Sequence, residues 1–208
     1  PDEAVHVLLV DGGSIYAGGA SGLRYLPAPT EADPFPAWEN WGDIAGDGAV
    51  RALAFHQGGS PSRGIFVGGD FDDIGGIVAH KIAKREGSGA WQRIGEDPSD
   101  ACNGTLADVG HVSALLSAGD VVYLGGRFHE LGAEAHPSGG CRTPSAYGLA
   151  KSNGSASYGY WLSGTPRESD LRKGSDIYAF QHYGSGWIMG GDFDNVRCYY
   201  SDGYYEPR

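Results

Sequence analysis

Four hydrophobic runs in this chain end in a pair of glycines: SIYAGG, GIFVGG, VVYLGG and GWIMGG. The pairs fall at Gly18-Gly19, Gly68-Gly69, Gly125-Gly126 and Gly190-Gly191, at intervals of 50, 57 and 65 residues. Self-similarity on this scale marks a repeat architecture, in which one supersecondary unit is copied and the copies bury one another's faces. Function in such proteins lies in the loops and surfaces laid over the scaffold.

Other segments recur in step with the glycines. Apolar runs beginning at Val5, Val112 and Ile177 each start 13 residues before the first glycine of their pair. In the second copy the run from Val50 starts 18 before Gly68, and the loop HQGGSPSRG takes up the difference. A third segment follows each pair, clearest in VAHKIAKRE with its rough in-out alternation. A tryptophan opens a fourth: Trp41 and Trp91 each lie 22 residues beyond the second glycine of their pair. Trp161 stands 35 beyond Gly126, its surplus held in the loop HELGAEAHPSGGCRTPSA.

Short apolar runs separated by Gly, Asp and Ser turns predict four antiparallel strands per unit. No stretch keeps a 3.6-residue apolar period, and 36 glycines in 208 residues weaken long helices. The paired glycines mark strand ends where a side chain would strike a neighbour or the backbone needs positive φ. Tyr16, Phe66, Tyr123 and Ile188, just before them, should face the packing between sheets. One sheet cannot cover both its faces, but sheets stacked radially can, which is a β-propeller of about four to eight blades.

The expectation is therefore an all-β, single-domain propeller over 1–208, with four blades near 5–46, 50–95, 112–164 and 177–208. In the last unit a third strand is expected at Val196–Tyr200, and its tryptophan would fall near position 213, beyond Arg208. The missing strand would come from another polypeptide, a second copy or absent sequence. With Pro1 first and no signal segment, the chain reads as a mature or excised portion of a larger product.

These residues resemble kelch-like repeats, closest to those of cell-polarity cortical marker proteins and related surface propellers. The resemblance rests on Tyr-x-Gly-Gly-x-Phe, a short glycine loop, an Ile-Ala strand and Trp-x-x-Ile-Gly. Its fullest copy is IFVGGDFDDIGGIVAHKIAKREGSGAWQRIG, Ile65 to Gly95, with partial copies at Val122–Gly132 and Trp187–Val196. The first unit departs from it, with Ala20-Ser21-Gly22 after its pair and a poorly defined third strand. The resemblance implies an extracellular or surface-associated scaffold and interaction domain.

Composition narrows the partners. Fifteen Lys and Arg against 26 Asp and Glu leave a net charge of −11, which disfavours nucleic acid or an anionic membrane as partner. No run is long enough to insert in a bilayer. Cys102 and Cys141 sit in long polar loops, where a Cys102–Cys141 disulfide would tie down mobile chain. Cys198 is then a small buried hydrophobe or the partner of a cysteine elsewhere. Asn103 and Asn153 head two loop sequons, which with the cysteines predict a secreted or cell-surface glycoprotein.

No nucleophile elbow or phosphate loop is present. The acidic residues Asp70, Asp72 and Asp73, echoed by Asp192 and Asp194, would gather at one end of a propeller. They read first as caps on their own backbone and second as a calcium or sugar site, since calcium takes clustered oxygen ligands. His129, Glu130 and His136, near Cys141, read as a solvated loop before a zinc or copper site, their spacing fitting no standard metal pattern. Tyr158, Tyr160 and Trp161 alternate, and Tyr199, Tyr200, Tyr204 and Tyr205 crowd beside the incomplete unit. Such aromatics suit contact with a protein or a glycan. The chain thus reads as a non-catalytic assembly or protein-interaction propeller without a required cofactor. The alternatives are a lectin-like module assisted by calcium, or the non-catalytic portion of a larger carbohydrate-active enzyme.

Overall fold

A computed structural model describes residues 4–57, 63–94, 109–119, 121–128, 134–135, 141–142, 148–152, 175–184, 186–192, 199–200 and 203–204. Within them the chain is all-β, built of antiparallel sheets met in chain order, with no helix and no closed ring of sheets.

The first sheet has four strands in sequence order: β1 (Val5–Asp11), β2 (Ser14–Gly19), β3 (Gly22–Leu26) and β4 (Glu39–Asp43). The second is built from β5 (Val50–His56), β6 (Gly64–Gly69), β9 (Ile82–Arg85) and β10 (Trp91–Arg93). A small hairpin, β7 (Asp73–Ile74) and β8 (Ile77–Val78), rises between β6 and β9. In the third sheet β11 (Val109–Ala118), β12 (Val121–Phe128) and β15 (Leu149–Ser152) pair in that order. Between β12 and β15 lies the two-residue ribbon β13 (Glu134–Ala135) and β14 (Cys141–Arg142). The fourth sheet pairs β16 (Asp176–Tyr183) with β17 (Gly186–Asp192).

Each of these sheets holds one of the four glycine pairs, and β3 corrects the doubt over the first unit: it pairs with β2 from Ile15↔Leu26 to Gly19↔Gly22. The tryptophan segment of the third unit, Trp161–Gly164, lies outside the described residues. The strand expected at Val196–Tyr200 is described only as β18 (Tyr199–Tyr200), which pairs with β19 (Gly203–Tyr204) and not with β17. A Ser-Asp-Gly turn signal between two Tyr-rich pairs favours such a local hairpin.

One irregularity repeats in all four sheets. The ladder slips by a residue between Val5 and Val7, Val50 and Ala52, Val112 and Ala114, and Ile177 and Ala179. In every case the slip stands opposite the glycine pair. An extra residue on one strand bends it and increases its twist. His6, Arg51, Ser113 and Tyr178 are the extra residues, so Val5, Val50, Val112 and Ile177 are structurally equivalent.

The two glycines of each pair have different reasons. A Cβ on the second would collide with a backbone carbonyl oxygen of its own sheet: that of Ala4 for Gly19, Ala49 for Gly69, His111 for Gly126 and Asp176 for Gly191. The first glycine answers to the next sheet. A Cβ on Gly18 would strike Val50, with Val7 also close; one on Gly68 would strike Val112, and one on Gly125 would strike Ile177. The glycine thus opens a notch, and an aliphatic residue at the bulge of the following sheet's first strand fills it.

Side chains on β6 show how sheets share their faces. Ile65 and Val67 join Tyr16, Leu23, Val50, Leu53, Phe71, Ile74 and Trp91 in a core between the first and second sheets. Phe66 points the other way, into a core with Ile82, Val112, Val122, Leu124 and Phe128 between the second and third. Both faces of the second sheet are therefore dry, and each buried aliphatic or aromatic side chain stabilises the stack by roughly 1.5–3 kcal/mol. Polar links reinforce the seams. His56 Nδ1 lies 3.0 Å from Ser117 Oγ, and Ser113 Oγ donates to the Ile177 carbonyl at 2.6 Å.

Candidate functional site

The acidic loop after Gly69 is a folded strap. Phe71 and Ile74 are fully buried, while Gly75 and Gly76 take positive φ (58° and 84°) at the tight turn joining β7 to β8. Asp70 accepts from Arg51 Nε and Nη2 at 2.9 and 2.6 Å and from the Ala49 N–H. Asp72 Oδ1 accepts from Lys81 Nζ at 2.6 Å, and Lys81 also donates to the Asp70 carbonyl at 3.0 Å. Asp73 caps the Ala45 N–H at 2.9 Å. Each of the three carboxylates thus holds a donor from this chain, and they tie β5, the strap and the first sheet together.

Lys81 occupies a left-handed position (φ 77°) where the third sheet has Gly148 (φ 83°). The backbone bonds agree: Gly69 N–H donates to Lys81 and Gly126 N–H to Gly148, each at 3.0 Å. The side-chain bonds of Lys81 offset the cost of placing a non-glycine residue there.

Partial burial pushes the Asp70 carboxyl up, but the Arg51 hydrogen bonds, the Ala49 N–H and the Arg51 charge outweigh it and hold the pKa below the usual carboxylate range. A folded-state value below the unfolded one, about 3.9 for aspartate, gives stability that is complete above that value. It is lost as pH falls through the lower, folded value. Asp70→Asn is therefore expected to lower the urea midpoint at neutral pH and to reduce its decline in acid. An unchanged acid limb would show that other carboxylates set it.

A second constellation joins the outer strands. The Arg85 guanidinium lies over the Trp41 ring, 4.6 Å from its centroid. Arg85 Nη1 and Trp91 Nε1 both donate to the Trp41 carbonyl, at 2.6 and 2.8 Å. Trp41 also packs against Tyr16 and Tyr25, with centroids 5.3 and 4.3 Å away. Beside this seam Trp41, Phe55, Arg63, Ile65, Arg85 and Gly87 line a shallow cleft of about 320 Å³. Arg85 also donates to the Gly89 carbonyl at 2.9 Å, so its donors serve the fold.

Lys84 is another polar residue inside the packing. It is 1 % exposed, its ammonium 2.8 Å from Glu86 Oε1 and 5.7 Å from the Phe66 ring centroid. His111 Nε2 meets Asp176 Oδ2 at 3.1 Å across the third seam.

Of the other candidates drawn from the sequence, few fall among the described residues. Asp192 ends β17 and is exposed. Asp194, His129, Glu130, His136, Asn103, Asn153, Cys102, Tyr158, Tyr160, Trp161 and Tyr205 lie outside the described residues. Cys141 opens β14, and Tyr199, Tyr200 and Tyr204 fall in β18 and β19. Among the described residues no group of three His, Cys, Asp or Glu side chains is arranged to hold a metal ion. No helix among them is long and apolar enough to cross a membrane.

Comparison with protein-family models, curated proteins and solved structures finds no match to this chain. Function is therefore argued from its own surfaces. The roles of Arg51, Lys81, Lys84, Arg85 and His56 are not visible in the sequence, because their partners lie on other strands or loops. The one signal for Lys81 is its place before Ile82-Ala83-Lys84, matched by Gly148 before Leu149-Ala150-Lys151.

Proposed function

We propose that this chain is a non-catalytic scaffold of propeller type, its sheets being kelch-like blades, and that it works by protein–protein contact at an extracellular surface. One observation carries the reading: the same bulge faces the same glycine pair in all four sheets, and the notch so made is filled by the next sheet at three successive seams. This is a device for stacking units, and it uses the most repeated residues in the sequence. The polar clusters support it, since Asp70, Asp72, Asp73 and Arg85 bond within the scaffold. The acidic balance and the sequons at Asn103 and Asn153 support an extracellular setting. The partner is another polypeptide or a second copy of this chain, meeting the last of the four sheets.

Titration with calcium and with a glycan panel, followed by calorimetry, tests this reading against the lectin-like one. The scaffold reading expects no saturable heat. Saturable binding that disappears in Asp70→Ala and Asp192→Ala would replace it with a carbohydrate-binding function.

A further inference from the structure

Among the described residues the first and the fourth sheets each leave one face uncovered, and the two faces fit each other. In the fourth sheet Gly190 holds the place of Gly18, Gly68 and Gly125. Yet a Cβ there would meet nothing within 4 Å among the described residues. Ile188 holds the place of Tyr16 and Phe66, which are buried against the following sheet, and it is 55 % exposed. At the other end, Val5, Leu8 and Val10 are 57, 63 and 66 % exposed. Their equivalents Val50, Leu53 and Phe55 pack into the core between the first and second sheets. Monomeric proteins rarely leave a contiguous apolar face in water without a use for it.

We propose that the front face of the fourth sheet binds the back face of the first sheet of a second copy, Val5 of one copy entering the notch over Gly190 of another. The proposal rests on the scaffold reading and names its partner. What identifies the occupant is continuity with the interface already formed three times. Val5 carries the same bulge, in the same register against its glycine pair, as Val50, Val112 and Ile177. Gly190 offers the notch that those three residues fill at Gly18, Gly68 and Gly125. Both halves of one seam are thus present on the first and fourth sheets of a single chain, and open among the described residues. A contact between different surfaces of identical copies is head-to-tail, so it grows into a ring or a filament unless it is capped.

Sedimentation velocity of the full chain over a range of concentrations, with two variants, tests this. Gly190→Val fills the notch, and Leu8→Lys charges the opposite face. Both changes lie on exposed positions, so at concentrations where the wild type is a monomer each variant is expected to keep its melting temperature. The wild type should assemble with increasing concentration, and each variant alone should sediment as a monomer. Mixed in equal amounts, the two variants should form a dimer and stop there. Gly190→Val still presents an intact Val5 face, and Leu8→Lys still presents an intact Gly190 face.

A wild type that stays monomeric would overturn the proposal while leaving the scaffold reading to its own calcium and glycan test. Association untouched by either substitution would overturn it too, placing the contact elsewhere. A monomer that Gly190→Val destabilises would overturn it in favour of a ring closed within one chain.

Discussion

Gly69→Ala is expected to lose about 3 kcal/mol of stability or more, lowering the melting temperature by about 10 °C, because overpacking here falls on backbone. The added Cβ would overlap the Ala49 carbonyl oxygen and press on Phe71 Cδ1 at 2.8 Å. Neither can swing aside. Ala49 directly precedes the Val50↔Gly69 pair that opens the ladder between β5 and β6, its N–H is held by the Asp70 carboxylate and its carbonyl accepts from the Asp70 N–H. Phe71 is fully buried. Gly190→Ala is the matched control, since open space surrounds that position among the described residues. At concentrations where the chain is a monomer it should stay within about 0.5 kcal/mol of wild type, as exposed substitutions usually do. Thermal melts of the two variants side by side check the contrast, and equal effects would remove the distinction drawn between the glycines.

Trp91→Ala should be comparably severe, at about 3–5 kcal/mol for loss of a large buried aromatic. The indole is seated against Gly75 and Gly42, where a Cβ would strike its ring, and it donates to the Trp41 carbonyl at 2.8 Å. Trp91→Phe keeps much of that volume and loses only the donor. Because Arg85 Nη1 donates to the same carbonyl, the acceptor stays satisfied, and the cost should be about 1–2 kcal/mol. Urea unfolding of both variants measures the difference. A similar loss for both would mean that the hydrogen bond, and not the filled space, holds the outer seam.

The all-β class and the presence of one sheet around each glycine pair are legible in the sequence because they are written locally. Apolar runs at a fixed distance from a glycine pair need no knowledge of what lies across the sheet. Trp41 and Trp91 at equal offsets place β4 and β10 in the same way. The bulge is hidden, since Val-x-Val reads as ordinary alternation whether or not the middle residue is extra. The reason for each glycine is hidden as well: Gly69 answers to a carbonyl 20 positions back in its own sheet, and Gly68 to a valine in the next.

Burial separates residues that the sequence treats alike. Tyr16, Phe66 and Ile188 occupy one pattern position, yet Tyr16 and Phe66 are buried in the cores shared with the following sheet while Ile188 is exposed. That loop aspartates cap backbone is legible from their turn setting, but their charged partners are not. Arg51 stands 19 residues from Asp70, and Lys81 nine from Asp72. Those pairings exist only after β5, β6 and β9 have aligned.

The central claim is that sheets stack through an apolar residue entering the notch over the first glycine. A double-mutant cycle on Gly68 and Val112 tests it most directly. A Cβ at Gly68 would lie 2.5 Å from Val112 Cγ1, so Val112→Ala removes much of the obstruction that Gly68→Ala meets. The double variant should be more stable than the sum of the two losses predicts, by about 1 kcal/mol or more for residues in direct contact. Strict additivity would mean that the two residues do not touch, and the stacked-sheet account would fail with them.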